Sequence, residues 1–243
     1  MDLGLEGRTA LVTASSRGLG RGSALALAAE GADLVLAARG KEALETAARE
    51  CEAAGAQVLA IPGDVTEPET PSRLVDAALD RFGRVDVLVG NSGGPPPARA
   101  LEIDEEALNK ALNANLLTHI RLVKAAVPHM RAEGWGRICL IASSFIKQPN
   151  PGLALSNTAR TGLWAWAKTA AQDLFDDGIT LNLACPGLHA TDRMKELGAG
   201  SAGEPMGDPE DFGKIVAFLC SEPANFISGA ALQVDGARTA ALL

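Results

Sequence analysis

The sequence predicts a doubly wound α/β fold with a mostly parallel, seven-stranded sheet and helices on both faces, and three observations carry that prediction. Short apolar runs of β character recur along the chain, stretches of helical periodicity separate them, and each run is continuous rather than alternating, as in strands covered on both faces. The runs fall at 9–13, 34–37, 58–61, 85–89, 137–141, 180–184 and 231–234. Between them, Leu108, Leu112, Leu116, Ile120, Val123, Val127 and Met130 trace one helical stripe. Ala159, Leu163, Trp166, Ala170 and Leu174 trace another, and both stripes face a core or a subunit interface. Strand and helix alternating with right-handed crossovers place any ligand at the carboxyl ends of the strands. The only proline-rich piece, Gly93-Gly94-Pro95-Pro96-Pro97, is too short to separate domains, so residues 1–243 are expected to form one domain.

Composition narrows the function. With 22 Lys+Arg against 30 Asp+Glu, a net charge of −8 and no basic cluster, the surface is not built for nucleic acid or anionic lipid. No apolar run approaches the roughly 20 residues that span a bilayer, and the N-terminus lacks a basic region followed by an apolar one. The chain reads as cytoplasmic. Cys51, Cys139, Cys185 and Cys220 are scattered and only three histidines occur, so buried free thiols are expected rather than a disulfide framework or a zinc site. No metal ligand set is expected. There is no tyrosine.

The segment after the first strand, Thr13-Ala14-Ser15-Ser16-Arg17-Gly18-Leu19-Gly20, leads into an alanine- and leucine-rich helix. A turn of this kind aims free amides and a positive helix end at a phosphate. The second strand ends in Arg39, where an unphosphorylated adenosine ribose would favour an acidic residue. Arg17 and Arg39 are placed to meet a 2′-phosphate, so NADP(H) is expected over NAD(H).

These features resemble the short-chain dehydrogenase/reductase family over nearly the whole chain, which implies a Rossmann-type fold. The family's Thr-Gly-x-x-x-Gly-x-Gly turn corresponds to Thr13 through Gly20, with Ala14 replacing the first glycine. Asp64-Val65 looks like its adenine-contacting pair and Gly90-Asn91-Ser92-Gly93 like its Asn-Asn-Ala-Gly segment, although simple turn chemistry would also explain either. Pro186-Gly187 with Thr191 resembles the loop on the nicotinamide side. Ser228-Gly229 and Val234-Asp235-Gly236 match the last strand. The resemblance implies a catalytic Asn, Ser, Tyr and Lys. Asn115 and Ser144 match the first two, with Ser143 as a substitute, while Ser156 and Arg160 stand in the tyrosine and lysine positions. Residues four apart share a helix face, so Ser156 and Arg160 address one site.

A serine hydroxyl is too weak an acid to give up a proton unaided, and an arginine stays charged. Arg160 can still bind ribose hydroxyls or stabilise an alkoxide. His189, just beyond Pro186-Gly187, is the candidate proton donor, the alternative being a loop histidine open to water. His119 and His129 read as packing or surface residues, Trp164 and Trp166 as core or interface filling on their helix, and Lys147 as a weaker candidate. The expected activity is that of an NADPH-dependent reductase similar to 3-oxoacyl-acyl-carrier-protein reductases, taking a small molecule or acyl thioester. The alternatives are a reductase of an iminium or other pre-polarised acceptor, and an inactive NADP(H)-binding or sensing protein. The segment 188–207 is expected to cover the substrate, and the apolar end 240–243 with the helical stripes suggests a dimer or tetramer.

Overall fold

The computed structural model describes residues 1–196, 198 and 203–242. Seven strands form one sheet: β1 (Thr9–Thr13), β2 (Asp33–Ala38), β3 (Val58–Pro62), β4 (Val87–Gly90), β5 (Gly136–Ile141), β6 (Ile179–Pro186) and β7 (Ala231–Val234). Their order is β3-β2-β1-β4-β5-β6-β7 and every pairing is parallel, which sharpens the expected mostly parallel sheet. The order reverses between β1 and β4, and a crevice opens at that point beyond the carboxyl ends.

The continuous apolar runs are explained by two cores, one on each face. Leu11, Val35, Leu88, Ile138 and Leu181 belong to the first, under helices α3 (Thr70–Phe82), α5 (Thr118–Glu133) and α6 (Ala154–Phe175). Their strand neighbours Ala10, Val12, Leu34, Leu36 and Val87 belong to the second, under α1 (Gly18–Ala29), α2 (Lys41–Ala53) and α8 (Pro209–Leu219). Alternate residues point to opposite faces, so covering both faces demands apolar residues at every position.

Two expectations are corrected. The fourth strand begins at Val87 rather than 85, and Asp86, just before it, is fixed by its side chain as well as its backbone. Its carboxylate, 1% exposed, accepts from the Thr9 amide (2.8 Å) and from Arg84 Nε and Nη2 (2.6 Å each), tying β1 to the approach to β4. The stripe from Leu108 to Met130 is also not a single face. Helix α4 (Glu105–Leu112) passes through a π turn at Asn113–Leu117 before α5 begins, and the extra residue in that turn rotates α5 relative to α4. Val123, Val127 and Met130 are buried, whereas Leu108, Leu112, Leu116 and Ile120 are only half-buried. The buried face instead runs Ala111, Asn115, His119, Leu122, Ala126 and Met130.

All four cysteines are buried and unpaired. Trp164 and Trp166 are half-buried against the first core. Helix α7 (Asp192–Glu196) lies in the expected cover, of which residues 197 and 199–202 fall outside the described residues, as does Leu243 at the apolar end. No helix among the described residues is long and apolar enough to cross a membrane.

Candidate functional site

The carboxyl ends of the strands open onto a cavity of about 370 Å³. One end is built by the turn after β1. Ala14 adopts a left-handed backbone at φ +47°, where a glycine would rest without steric cost. Gly20 has to be glycine, since a Cβ there would lie 2.3 Å from the Ala14 carbonyl oxygen. The Thr13 hydroxyl donates to the Asn91 carbonyl (2.7 Å) and accepts from its amide (2.8 Å), locking the end of β1 to the segment after β4. Ser15 is buried and donates to the Ala37 carbonyl. Thr13, Ser15, Ser16 and Gly20 thus shape the turn without lining the cavity, whereas Arg17, Gly18 and Leu19 line it.

Arg17 precedes α1 in extended conformation and no side chain caps the helix, leaving first-turn amides free to meet a ligand. Its guanidinium is 64% exposed and lies 3.9 Å from both Asp192 and Glu196 of α7. Arg39 is exposed on the same cavity, and among the described residues it forms no ion pair. Asn91 and Gly93 line the cavity too, but Asp64 and Val65 do not. The Asp64 carboxylate is occupied in a turn, accepting from the Thr66 amide (2.9 Å) and hydroxyl (2.8 Å).

The opposite end is enclosed and polar. Ser143, the last extended residue before a single 3₁₀ turn at Ser144–Ile146, lines the cavity. Ser144, the serine favoured from sequence, opens that turn, is 5% exposed and does not line the cavity. Ser156 and Arg160 sit one turn apart near the start of α6, 7% and 8% exposed, and Arg160 Nη1 donates to Ser156 Oγ at 2.8 Å. Burial, and then the charge of Arg193, lowers the Arg160 pKa to about 10, and its Nε has no partner. The guanidinium stays charged at neutral pH.

Asn115 lies within the π turn, one layer behind the cavity wall. It donates to the Ala111 carbonyl (3.3 Å) and accepts from Ser92 Oγ (3.3 Å), and Ser92 itself lines the cavity. His119, one turn along, is fully buried; burial, then the Arg160 charge, lowers its pKa to about 3 against an opposing backbone contact with Gly90.

His189 lines the cavity but is packed rather than open to water. It is 4% exposed, its ring meets Phe212 edge-on at 5.1 Å, and Nδ1 lies 3.3 Å from the Gly187 carbonyl. A Cβ on Gly207 would lie 2.7 Å from this ring, and burial lowers its pKa. Pro186, Gly187 and Thr191 line the cavity as the motif implies. Lys147 rests over the Trp164 ring at 5.7 Å. Sequence reasoning passed over Arg193, which lines the cavity and donates from Nη2 to the Pro95 carbonyl at 2.7 Å. Its position as the first cation after the Pro-Gly loop was the available signal.

Residues 13–238 match the family model described as enoyl-(acyl carrier protein) reductase. The chain is 33% identical to dehydrogenase/reductase SDR family member 4 of Oryctolagus cuniculus, covering 96% of this chain and 94% of that protein. It is also 33% identical to the 3-oxoacyl-[acyl-carrier-protein] reductase of Synechocystis sp., covering 96% and 97%. The chain is a short-chain dehydrogenase/reductase. The solved structure of L-sorbose reductase from Gluconobacter frateurii, complexed with NADPH and L-sorbose, superposes with a TM-score of 0.90 at 33% identity, over 97% of this chain and 98% of that one. In this short-chain dehydrogenase/reductase one cavity is lined both by the exposed Arg17 and Arg39 and by the half-buried Ser143 and the buried Ser156–Arg160 pair.

Proposed function

We propose that the protein is an NADP(H)-dependent reductase of a small molecule or acyl thioester, with NADP(H) preferred over NAD(H). The observation that carries this is the cavity itself. An uncapped helix start, a turn that admits no Cβ at Gly20 and two solvent-facing arginines stand at one end, while a hydroxyl and guanidinium cluster stands at the other. These residues fit an NADP dinucleotide: the first-turn amides of α1 suit its diphosphate, and Arg17 and Arg39 its 2′-phosphate. The similarity to an L-sorbose reductase complexed with NADPH supports the same reading.

The dinucleotide, when bound, supplies the hydride. The chain supplies position and charge. Ser143 and Ser156 offer hydroxyl donors to the acceptor's oxygen, and Arg160 stabilises negative charge developing there while holding Ser156 in place. Asn115 supports the wall through Ser92. Ser156 and Arg160 occupy the positions of the family's tyrosine and lysine, so the usual proton donor is missing. General acid catalysis contributes about 10²- to 10⁴-fold, and positioning of the reactants can contribute more. His189, neutral and wedged between Phe212 and Gly207, is better suited to fixing the loop after β6 than to giving up a proton.

The missing donor favours a second reading: an acceptor already polarised, such as an iminium ion, needs no proton from the protein. NADPH oxidation, followed by its near-ultraviolet absorbance with ketones, quinones, acyl thioesters and cyclic imines, tests both. Turnover of ketones or thioesters supports the first reading and turnover of imines alone the second. Tight NADPH binding without consumption by any acceptor would leave a binding or sensing protein.

A further inference from the structure

We propose that the substrate of this site is an anion, a short 2-oxo or 3-oxo carboxylate whose acid group is held between Arg160 and Arg193. The inference rests on the reductase reading above and adds the substrate's charge to it.

Four guanidinium groups line the cavity, those of Arg17, Arg39, Arg160 and Arg193, against two carboxylates, Asp192 and Glu196. Both carboxylates belong to α7 and are engaged there: Asp192 with Arg17 (3.9 Å) and Lys195 (3.6 Å), Glu196 with Arg17 (3.9 Å) and Arg193 (3.7 Å). Arg160 has no acidic partner among the described residues. It is 8% exposed, one nitrogen is committed to Ser156 and its Nε is unpartnered. A guanidinium taken out of water without a counter-ion is costly, and a ligand that brings the missing charge recovers that cost.

Arg193 adds a second cation to the same cavity. It reaches from α7 to the Pro95 carbonyl, passing over Gly94, where a Cβ would lie 3.6 Å from its Nε. Its charge is felt at Arg160, whose protonated form it disfavours. Two guanidinium groups lining one cavity form a receptor for a single anion, and the planar guanidinium fork matches a carboxylate. The 2′-phosphate is assigned to Arg17 and Arg39 at the other end, so the charge around Arg160 and Arg193 is left for the acceptor. A carboxylate one or two carbons from the reducible carbonyl keeps both groups within so small a cavity.

The test compares acetoacetate and benzoylformate with their methyl esters, by calorimetric titration into the NADP⁺-saturated protein and by NADPH oxidation. The acids are expected to bind at least about tenfold more tightly than the esters, the value of one charge-assisted hydrogen bond. Arg193→Gln should erase most of that advantage and leave NADPH affinity within about twofold, while Arg193→Lys retains part of it. Equal binding of acid and ester, or an advantage that survives Arg193→Gln, overturns the proposal. So does a parallel loss of NADPH affinity in Arg193→Gln, which would assign the cation to the cofactor's diphosphate. Failure to bind NADPH at all would instead sink the reductase reading, and the acid–ester comparison is then read on the protein alone.

Discussion

At the scale of single residues, two side chains after β1 and β2 carry separable consequences. Arg17 and Arg39 face solvent at the cavity's open end, so an assigned 2′-phosphate makes a sharp demand on them. Replacing each by alanine should weaken NADPH by about 1.5 to 3 kcal/mol for every charged hydrogen bond lost and leave NADH nearly unchanged. Fluorescence titration with both cofactors checks this, and equal losses would remove the 2′-phosphate assignment. Arg17 also lies near Asp192 and Glu196, at 3.9 Å and well exposed, contacts too solvated to hold α7 strongly. Ala14, at φ +47°, carries a left-handed penalty of about 1 kcal/mol that glycine would avoid. Ala14→Gly is therefore expected to raise the melting temperature by about 2–4 °C in a chain of this size. An unchanged or lower melting temperature in calorimetry would show that the turn holds Ala14 without strain. The cavity also separates two adjacent serines that sequence leaves nearly equivalent, because only the end of β5 decides that Ser143 faces inward.

At the scale of elements, the π turn between α4 and α5 determines which residues reach the site. By rotating the helix it buries Asn115 behind Ser92 and turns His119 into the interior, out of reach of water. The folded pKa of His119, about 3, lies below its ordinary 6.5, so on acidification the unfolded chain takes up a proton that the folded chain refuses. Stability from this group is complete above pH 6.5 and falls as the pH drops towards 3. Between pH 7 and 5 the loss is about 2 kcal/mol. His189, also depressed, adds to the loss in the same direction. Urea unfolding at the two pH values should show the fall, and His119→Leu should be less pH-sensitive by about that amount. Identical pH dependence in the variant would mean that His119 takes up its proton as readily folded as unfolded.

At the scale of the whole molecule, several apolar groups remain on the surface. Phe175 and Phe226 meet edge-on at 5.8 Å near the end of α6, with Phe226 86% exposed, and Leu232 is exposed on the edge strand β7. With the half-buried Leu108, Leu112, Leu116 and Ile120, these faces are expected to be covered by further copies of the chain. Light scattering at micromolar concentration should give the mass of a dimer or tetramer, and a monomer's mass would reject this.

The sequence alone determined the strands, their parallel arrangement and the glycine turn that opens the first helix, because continuous apolar runs and a glycine turn after the first strand are local signals of short period. It also determined that no tyrosine could serve as acid. Tertiary structure decided what depends on direction: that Ser143 and not Ser144 lines the cavity, that Asp64 is occupied by its own turn, that His189 is packed, and that Arg193 crosses to Pro95. Those outcomes turn on where extended chain ends, where a helix gains a residue and which loops meet over the sheet, and none of these is encoded in the spacing of residue types along one segment.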